Sequence, residues 1–309
     1  VKIDRIPSHY LPHAILYLAD EDDQQIAKYK DSALWWAARI DGEVVGTIGL
    51  LELSTDQAEI VSVAVGEKYQ NRHIGSQLVE TAIAYAKEKG FRDVLIKTGN
   101  CGLSQIGLYQ KCGFRIDSVK RNYFLGKYEN SIYENGIRCC DQVVMNYRIY
   151  SEAERERIIS GYWDRFLLSN PLYKGSPYDV WNFCYGEYLP NLLIGLVKTG
   201  AKTGTSSALE LYKPEEKVPE AGDLSIITYG NGLPGCIVEI TETRVKKFSE
   251  INADEARWEG EGDLSLQFWR EVHRDFFSME YKEEGQVFHE DIPVLYERFT
   301  VIYDEDLKS

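Results

Sequence analysis

Between Ile74 and Lys89 the apolar residues Ile74, Leu78, Ala82 and Ala86 recur at every fourth position, with Val79 and Ile83 beside them, and Gly90 follows. That spacing predicts one amphipathic helix, which a glycine in the left-handed conformation stops. Ahead of it, Ala58 to Val65 reads as a strand, so the chain passes from strand through a polar loop into a long helix. The neighbouring runs fit the same alternation. Trp35 to Ile40 and Glu43 to Leu53 are strand-like and parted by Asp41-Gly42; Val94 to Lys97 is a short apolar strand; Ser104 to Cys112 is a short helix stopped by Gly113; and Phe114 begins another strand. The first half is therefore of the α/β (α+β) class.

The pattern changes near Tyr150. Ser151 and Glu154 have capping-box spacing, and Ile158, Ile159, Tyr162, Trp163 and Phe166 follow as a helical face. Leu189, Leu192, Leu193, Leu196 and Val197 mark a second helix, ending at Thr199-Gly200. Strands follow at Leu224 to Tyr229 and Cys236 to Thr241 around a Gly230-Asn231-Gly232 turn. Leu264, Phe268, Trp269, Val272 and Phe276 mark a third helix, and Leu295 to Tyr303 a closing strand. At 309 residues the chain is long enough for two cores. The expected division is 1–149 and 150–309.

Charge separates the same halves. Residues 1–150 carry 18 Lys and Arg against 19 Asp and Glu, while 151–309 carry 17 against 30. So acidic a second half repels phosphate backbones, which disfavours tight non-specific nucleic-acid binding. No run approaches the roughly 20 apolar residues of a membrane span, and Val1 to His13 lacks a signal peptide's apolar core. The expected address is the cytoplasm, with no membrane partner. Six cysteines without C-x-x-C spacing and five scattered histidines signal no metal site. Free, mostly buried thiols are expected.

The loop entering the Ile74 helix reads Gln70-Asn71-Arg72-His73-Ile74-Gly75-Ser76. First-turn amides of a helix have no intrahelical acceptors, and with the positive end of the dipole they bind phosphate. Most loop–helix junctions bind nothing, so context decides. Residues 35–125 resemble the GNAT N-acetyltransferase family, whose pyrophosphate loop is Gln/Arg-x-x-Gly-x-Gly/Ala after such a strand. A second signature of that family is matched by Leu108-Tyr109-Gln110-Lys111-Cys112-Gly113-Phe114. His73 stands where the family has its first glycine; its Cβ either hinders the approach of a pyrophosphate or points outward and leaves the amides usable.

The resemblance implies a mixed-sheet acyltransferase fold using acetyl-CoA as co-substrate. It implies cofactor contacts from Val63 and Val65 on the strand and from Gln70, Asn71, Arg72, His73, Ile74, Gly75 and Ser76 in the loop. Backbone N–H groups near Val63 would polarise the thioester carbonyl as its oxygen gains charge. Glu59 would accept the amine proton, or is a surface carboxylate. Tyr109 would donate to the departing thiolate, or is a half-buried helix tyrosine. The acceptor pocket would come from variable segments such as His13 to Tyr29 and Tyr123 to Cys140.

A second constellation lies in the acidic half, at Thr199-Gly200-Ala201-Lys202-Thr203-Gly204-Thr205-Ser206-Ser207. A lysine in a tight turn between buried elements is either desolvated, with a lowered pKa suited to activating a hydroxyl, or an ordinary solvated loop lysine. Residues 160–303 resemble the ASCH family of the PUA-like superfamily. The matching pieces are Gly200, Lys202 and Thr205; Gly222-Asp223-Leu224-Ser225; Glu259-Gly260-Glu261-Gly262-Asp263; and Trp269-Arg270-Glu271-Val272-His273 with Phe276-Phe277. The resemblance implies a PUA-like β-barrel with flanking helices. Its acetylcytidine-hydrolysing members imply Lys202 as base, Thr205 as nucleophile and Glu259 as proton donor or water activator; other members are proposed RNA binders. Glu259 alternatively holds the Gly-rich turn. Glu239 is a pocket residue or an ion-pair partner, and Trp269 with His273 form a stacking wall or part of the core.

Together these readings describe an acetyl-CoA-dependent N-acetyltransferase acting on a small-molecule or peptide amine, fused to an ASCH domain that binds or hydrolyses a nucleoside-like amide. The competing reading is a regulatory or RNA-binding protein with a degenerate transferase fold. Acceptor and oligomeric state are not legible in the residues.

Overall fold

The apolar run at four-residue spacing forms a helix over Ile74–Lys89, and Gly90 caps it at a φ of +79°. Its face of Leu78, Val79, Ala82, Ile83 and Ala86 is buried, as the spacing predicts. A computed structural model of the chain describes residues 1–126 and 131–306. Two units separate in it, Val1–Glu152 with Gly186–Tyr188, and the rest.

The first unit is built from β1 (Lys2–Arg5), α1 (His13–Tyr17), α2 (Asp23–Tyr29), β2 (Leu34–Ile40), β3 (Glu43–Glu52), β4 (Gln57–Val65), α3 (Ile74–Lys89), β5 (Asp93–Gly99), α4 (Leu103–Lys111), β6 (Arg115–Lys120), the short hairpin β7 (Tyr133–Glu134) and β8 (Ile137–Arg138), and β9 (Gln142–Arg148). Seven strands form one mixed sheet in the order β1-β2-β3-β4-β5-β9-β6. β2, β3 and β4 are an antiparallel meander, and α3 returns the chain so that β5 runs parallel to β4. One sheet face packs Ile48, Leu50, Ala58 and Ile60 against α3, while Leu16, Ile26, Trp35 and Ala37 build a smaller core. Both sheet faces are thus covered, which is why β2 and β3 are largely buried. β1, α1, α2 and β9 lay outside the elements expected from sequence. Their runs are short, and β9 finds its place only through pairing with β5 and β6.

The second unit contains α5 (Glu152–Ser169), β10 (Asp179–Trp181), α6 (Tyr188–Lys198), β11 (Gly204–Ala208), β12 (Leu224–Thr228), β13 (Pro234–Lys247), α7 (Ala253–Trp258), α8 (Leu266–Glu283) and β14 (Pro293–Tyr303). Its sheet has the order β10-β12-β13-β14-β11 and curls into a half-barrel, the long β13–β14 pair bending at register shifts near Ile237 and Ile240. No ladder joins β10 to β11 among the described residues, so the barrel stays open. Three helices cover it. α5 seats Tyr162, Trp163 and Phe166 on Leu224, Ile226 and Ile237; α6 seats Leu193, Ile194 and Val197 on Ile227 and Val238; α8 seats Trp269, Phe277 and Tyr281 on Phe248, Val294 and Tyr296.

Among the described residues no helix is long and apolar enough to cross a membrane. The cysteines are free: Cys101, Cys112, Cys139 and Cys236 are buried, Cys140 and Cys184 partly so. Residues 127–130 of the segment expected to shape the acceptor pocket lie outside the described residues. Phe166 is fully buried in the α5 core. Phe166→Ala is expected to cost about 3–5 kcal/mol, read as a lowered urea midpoint for the transition of the second unit.

Candidate functional site

In the first unit the site begins where two strands part. β4 and β5 pair in parallel from Gln57–Asp93 to Ile60–Ile96 and no further, although β4 runs on to Val65. The backbone of β4 beyond Ile60 therefore has a neighbour on the β3 side alone. Beside this opening the chain turns into α3. Asn71 and His73 both take left-handed backbone, at φ +59°. The glycine usual at the His73 position serves such a conformation, which Asn and His adopt more readily than most residues. Gln70 donates its amide Nε2 to the Val65 carbonyl at 3.2 Å and braces the loop.

The consequence is a run of free donors. The first amide of α3 with a protein acceptor is Gln77, bonded to the His73 carbonyl at 3.1 Å. Among the described residues, the N–H groups of Asn71 through Ser76 find no protein acceptor. They border an open cleft of about 900 Å³. Val63, Val65, Gln70, Asn71, His73, Ile74, Gly75 and Ser76 all line it. Arg72 does not; its guanidinium lies 5.8 Å from the Tyr69 ring centroid. His73 is exposed at the rim.

Tyr109 also lines the cleft, from the buried face of α4, and its hydroxyl has no hydrogen-bond partner among the described residues. Burial, aided by Cys112, pushes this phenol well above its ordinary pKa, so it stays protonated. Glu59 sits apart from the cleft. Its Oε2 accepts from Lys97 Nζ at 2.6 Å across the β4–β5 pair, and its side chain is 15% exposed.

In the second unit the Gly-rich segments meet. Lys202, at 1% exposure, donates from Nζ to Glu259 Oε2 at 3.0 Å and to Glu261 Oε1 at 2.7 Å. Glu259, equally buried, accepts at Oε1 from Ser206 Oγ at 2.6 Å and from Trp269 Nε1 at 2.8 Å. His273 Nε2 stands 3.5 Å from Glu259 Oε2. Its Nδ1 lies 2.9 Å from the Trp269 carbonyl, which only accepts, so Nδ1–H is the donor there. Gly260 makes the turn between the two glutamates at φ +71°, and a Cβ there would meet the Ala201 carbonyl oxygen at 2.3 Å.

Two expectations change. A lone buried lysine would titrate low, and desolvation does pull Lys202 that way, but Glu259 and Glu261 together outweigh it and raise its pKa. Lys202 is a held cation and not a neutral base. Glu259 shows the complement: burial pushes it up, while Lys202, His273 and Ser206 bring it far below the carboxylate range. Thr205 borders the cavity but bonds to neither Lys202 nor Glu259 among the described residues; Ser206 on β11 is the hydroxyl that reaches Glu259.

These groups open on a cavity of about 910 Å³, also lined by Trp181, Tyr185, Asp223, His273, Glu280 and Glu297. Burial and the nearby Glu283 push Glu280 up to about 6. Trp269 and His273 stack at 4.1 Å and 16°, but Trp269 is buried in the α8 core and His273 alone faces the cavity. Glu239 is not a cavity residue and accepts from the Tyr173 phenol at 3.1 Å. Sequence reading missed Ser206, Glu261 and Glu297. β11 has no apolar alternation to announce it, and Ser206 and Glu261 lie in the two motifs with no local signal of a role.

Residues 3–114 match the acetyltransferase (GNAT) family model and residues 179–303 the ASCH domain model. The chain is 40% identical over 129 residues to the uncharacterized N-acetyltransferase YvbK of Bacillus subtilis (strain 168), covering 42% of this chain and 83% of that protein. Similar solved structures include a GNAT family acetyltransferase from Elizabethkingia anophelis with acetyl-CoA bound, 35% identical, spanning 48% of this chain and 97% of that one at a TM-score of 0.46. An ASCH domain from Lactobacillus crispatus JV V101 is 34% identical, spanning 48% and 95% at a TM-score of 0.46.

Lys202→Met removes the main cation held by Glu259 and is expected to cost about 3–5 kcal/mol, much of it recovered in Lys202→Met/Glu259→Gln. Because the Glu259 pKa is lowered by folding, its contribution is present above the carboxylate range and lost as pH falls through and below it. Urea unfolding of the three proteins between pH 3 and 7 checks both points.

Proposed function

Starting from a chain that belongs to the GNAT N-acetyltransferase family through its first unit and carries an ASCH domain in its second, we propose that residues 1–149 move an acetyl group from acetyl-CoA to the amine of a small molecule or peptide. In the same reading, residues 150–309 bind or hydrolyse a nucleoside-like amide. The observation that carries the first part is the run of amides from Asn71 to Ser76 without protein acceptors at the start of a 16-residue helix. Such donors, with the helix dipole behind them, suit a diphosphate. The left-handed His73 keeps the backbone path that glycine would take, which speaks against a degenerate site.

The chemistry follows from the residues around the cleft. The acceptor nitrogen bonds to the thioester carbonyl carbon, the carbon–sulfur bond breaks, and Tyr109 gives its proton to the leaving sulfur. Unpaired N–H groups of β4 beyond Ile60 would stabilise charge on the carbonyl oxygen. Glu59, which accepts from Lys97, takes the amine proton through water. Calorimetry with acetyl-CoA should show binding; none at millimolar ligand retires the reading. Tyr109→Phe is expected to lower kcat about 10–100-fold with little change in KM for acetyl-CoA.

For the second unit, the Lys202 and Glu259 charges suit binding before catalysis. In hydrolysis, a Thr205 or Ser206 oxygen bonds to the amide carbon as Glu259 takes its proton, and the Lys202 ammonium holds the negative charge on the substrate oxygen. Glu259 returns the proton to the amine as the carbon–nitrogen bond breaks, and water then cleaves the acyl ester to free the hydroxyl and the acid. A cavity edged by Glu216, Asp223, Glu261 and Glu280 is a poor seat for an RNA backbone. Turnover of N4-acetylcytidine, abolished by Lys202→Ala in protein that still folds, is the expected result. Inertness across a panel of acyl-nucleosides would leave binding alone.

A further inference from the structure

Glu297 on β14 is a carboxyl that the roles above do not use. It is 5% exposed, lines the ASCH cavity, and sits directly across from Thr205 on β11 and Thr243 on β13. Among the described residues its side chain makes no hydrogen bond and no ion pair. Buried polar groups are rarely left so, and one that faces a cavity is available to whatever enters.

The charges around it leave Glu297 without a cation. Glu259 and Asp223 are its carboxylate neighbours, held respectively by Lys202 at 3.0 Å and Lys217 at 2.5 Å. Lys202 is further engaged by Glu261, and His273 stands on the Glu259 side. The Tyr212 phenol is near enough to feel the Glu297 charge and contributes none of its own at neutral pH. Arg298, next along the strand, is turned onto the Trp258 ring at 4.0 Å and donates to the Thr203 carbonyl. A proton is what remains to neutralise Glu297: burial, then Glu259 and Asp223, push its pKa up to about 7.

We propose that Glu297 is the selecting group of the cavity: as the acid it donates to and accepts from adjacent acceptor and donor atoms of a neutral amide- or amidine-bearing ring, and once ionised it turns that ligand away. This rests on the reading of the cavity as a site for a nucleoside-like amide. A carboxylic acid presents one donor and one acceptor side by side, the complement of a ring nitrogen beside an exocyclic N–H. A carboxylate presents acceptors only, and meets a ring nitrogen lone pair with a second lone pair. Anionic ligands are disfavoured throughout by Glu261, Asp223 and Glu280 on the same walls.

The test is calorimetric titration of the full chain with cytidine, which presents the same ring nitrogen beside an exocyclic N–H and has no acetyl group to lose, from pH 5.5 to 8.5, in wild type and Glu297→Gln, whose carboxamide keeps a donor and an acceptor and cannot ionise. Wild-type affinity is expected to fall about thirty-fold over that range, as acid-only binding with a midpoint near 7 requires, and the variant to hold its acid-limb affinity throughout. A flat wild-type profile, or the same slope in the variant, overturns the proposal while leaving the nucleoside-amide reading in place. No wild-type binding at any pH overturns both. Thermal unfolding of the two ligand-free proteins gives a second check. Because the Glu297 pKa is raised on folding, wild type should be most stable relative to the variant at acid pH and lose that margin as pH rises through about 7. Parallel curves would show no buried proton and overturn the proposal independently of any ligand.

Discussion

Among the described residues an unbroken row of backbone N–H groups, from Asn71 to Ser76, has no protein acceptor and is open to a ligand. The arrangement around that row follows from keeping it open. β4 has to outrun its pairing with β5 for a cleft to exist beside the row. The loop has to turn left-handed at Asn71 and again at His73. α3 has to be anchored along its buried face, from Leu78 to Ala86, so that its first turn can remain uncapped without fraying. Tyr109, whose burial keeps its phenol protonated, then stands on the cleft as a donor with no partner among the described residues. Each of these features costs some stability by itself, and the proposed diphosphate ligand is what makes them consistent with one another.

The second unit solves a different problem, a lysine with almost no access to water. Desolvation alone would strip its proton, and two glutamates prevent that. Once they do, Glu259 is ionised for the same reason, and its remaining lone pairs are taken by Ser206 and Trp269. The carboxyls that border the cavity outside this network are not held in that way. Among the described residues Glu280 and Glu297 share the cavity wall without an ion-paired cation, and both titrate closer to neutrality than ordinary carboxylates.

Much of this architecture was legible from periodicity. The α3 helix, its Gly90 stop, the β2–β3–β4 meander and the Gly230-Asn231-Gly232 hairpin all have local signals, because turn chemistry and apolar spacing act within a few residues. β9 and β11 had no such signal. Gly204–Ala208 carries no apolar alternation and is a strand because β14 offers it a ladder, with Thr205 opposite Glu297 and Ser206 opposite Tyr296. Thr205 was accordingly weighed and Ser206 was not, although side chains alternate across a strand and it is Ser206 that the ladder turns toward Glu259.

The amino-acid order by itself determined the α/β class, the change of character near residue 150, the phosphate-loop pattern ahead of α3 and the Lys202 and Glu259 motifs, since each is written in neighbours or in short spacings. What the tertiary structure decided was protonation and access. Whether Lys202 is a base or a cation depends on carboxylates 57 and 59 residues away. Whether Glu297 holds a proton depends on which of its neighbours have already spent their cations. A pKa answers to the distances and the dielectric around a group, and those exist only after the strands have met.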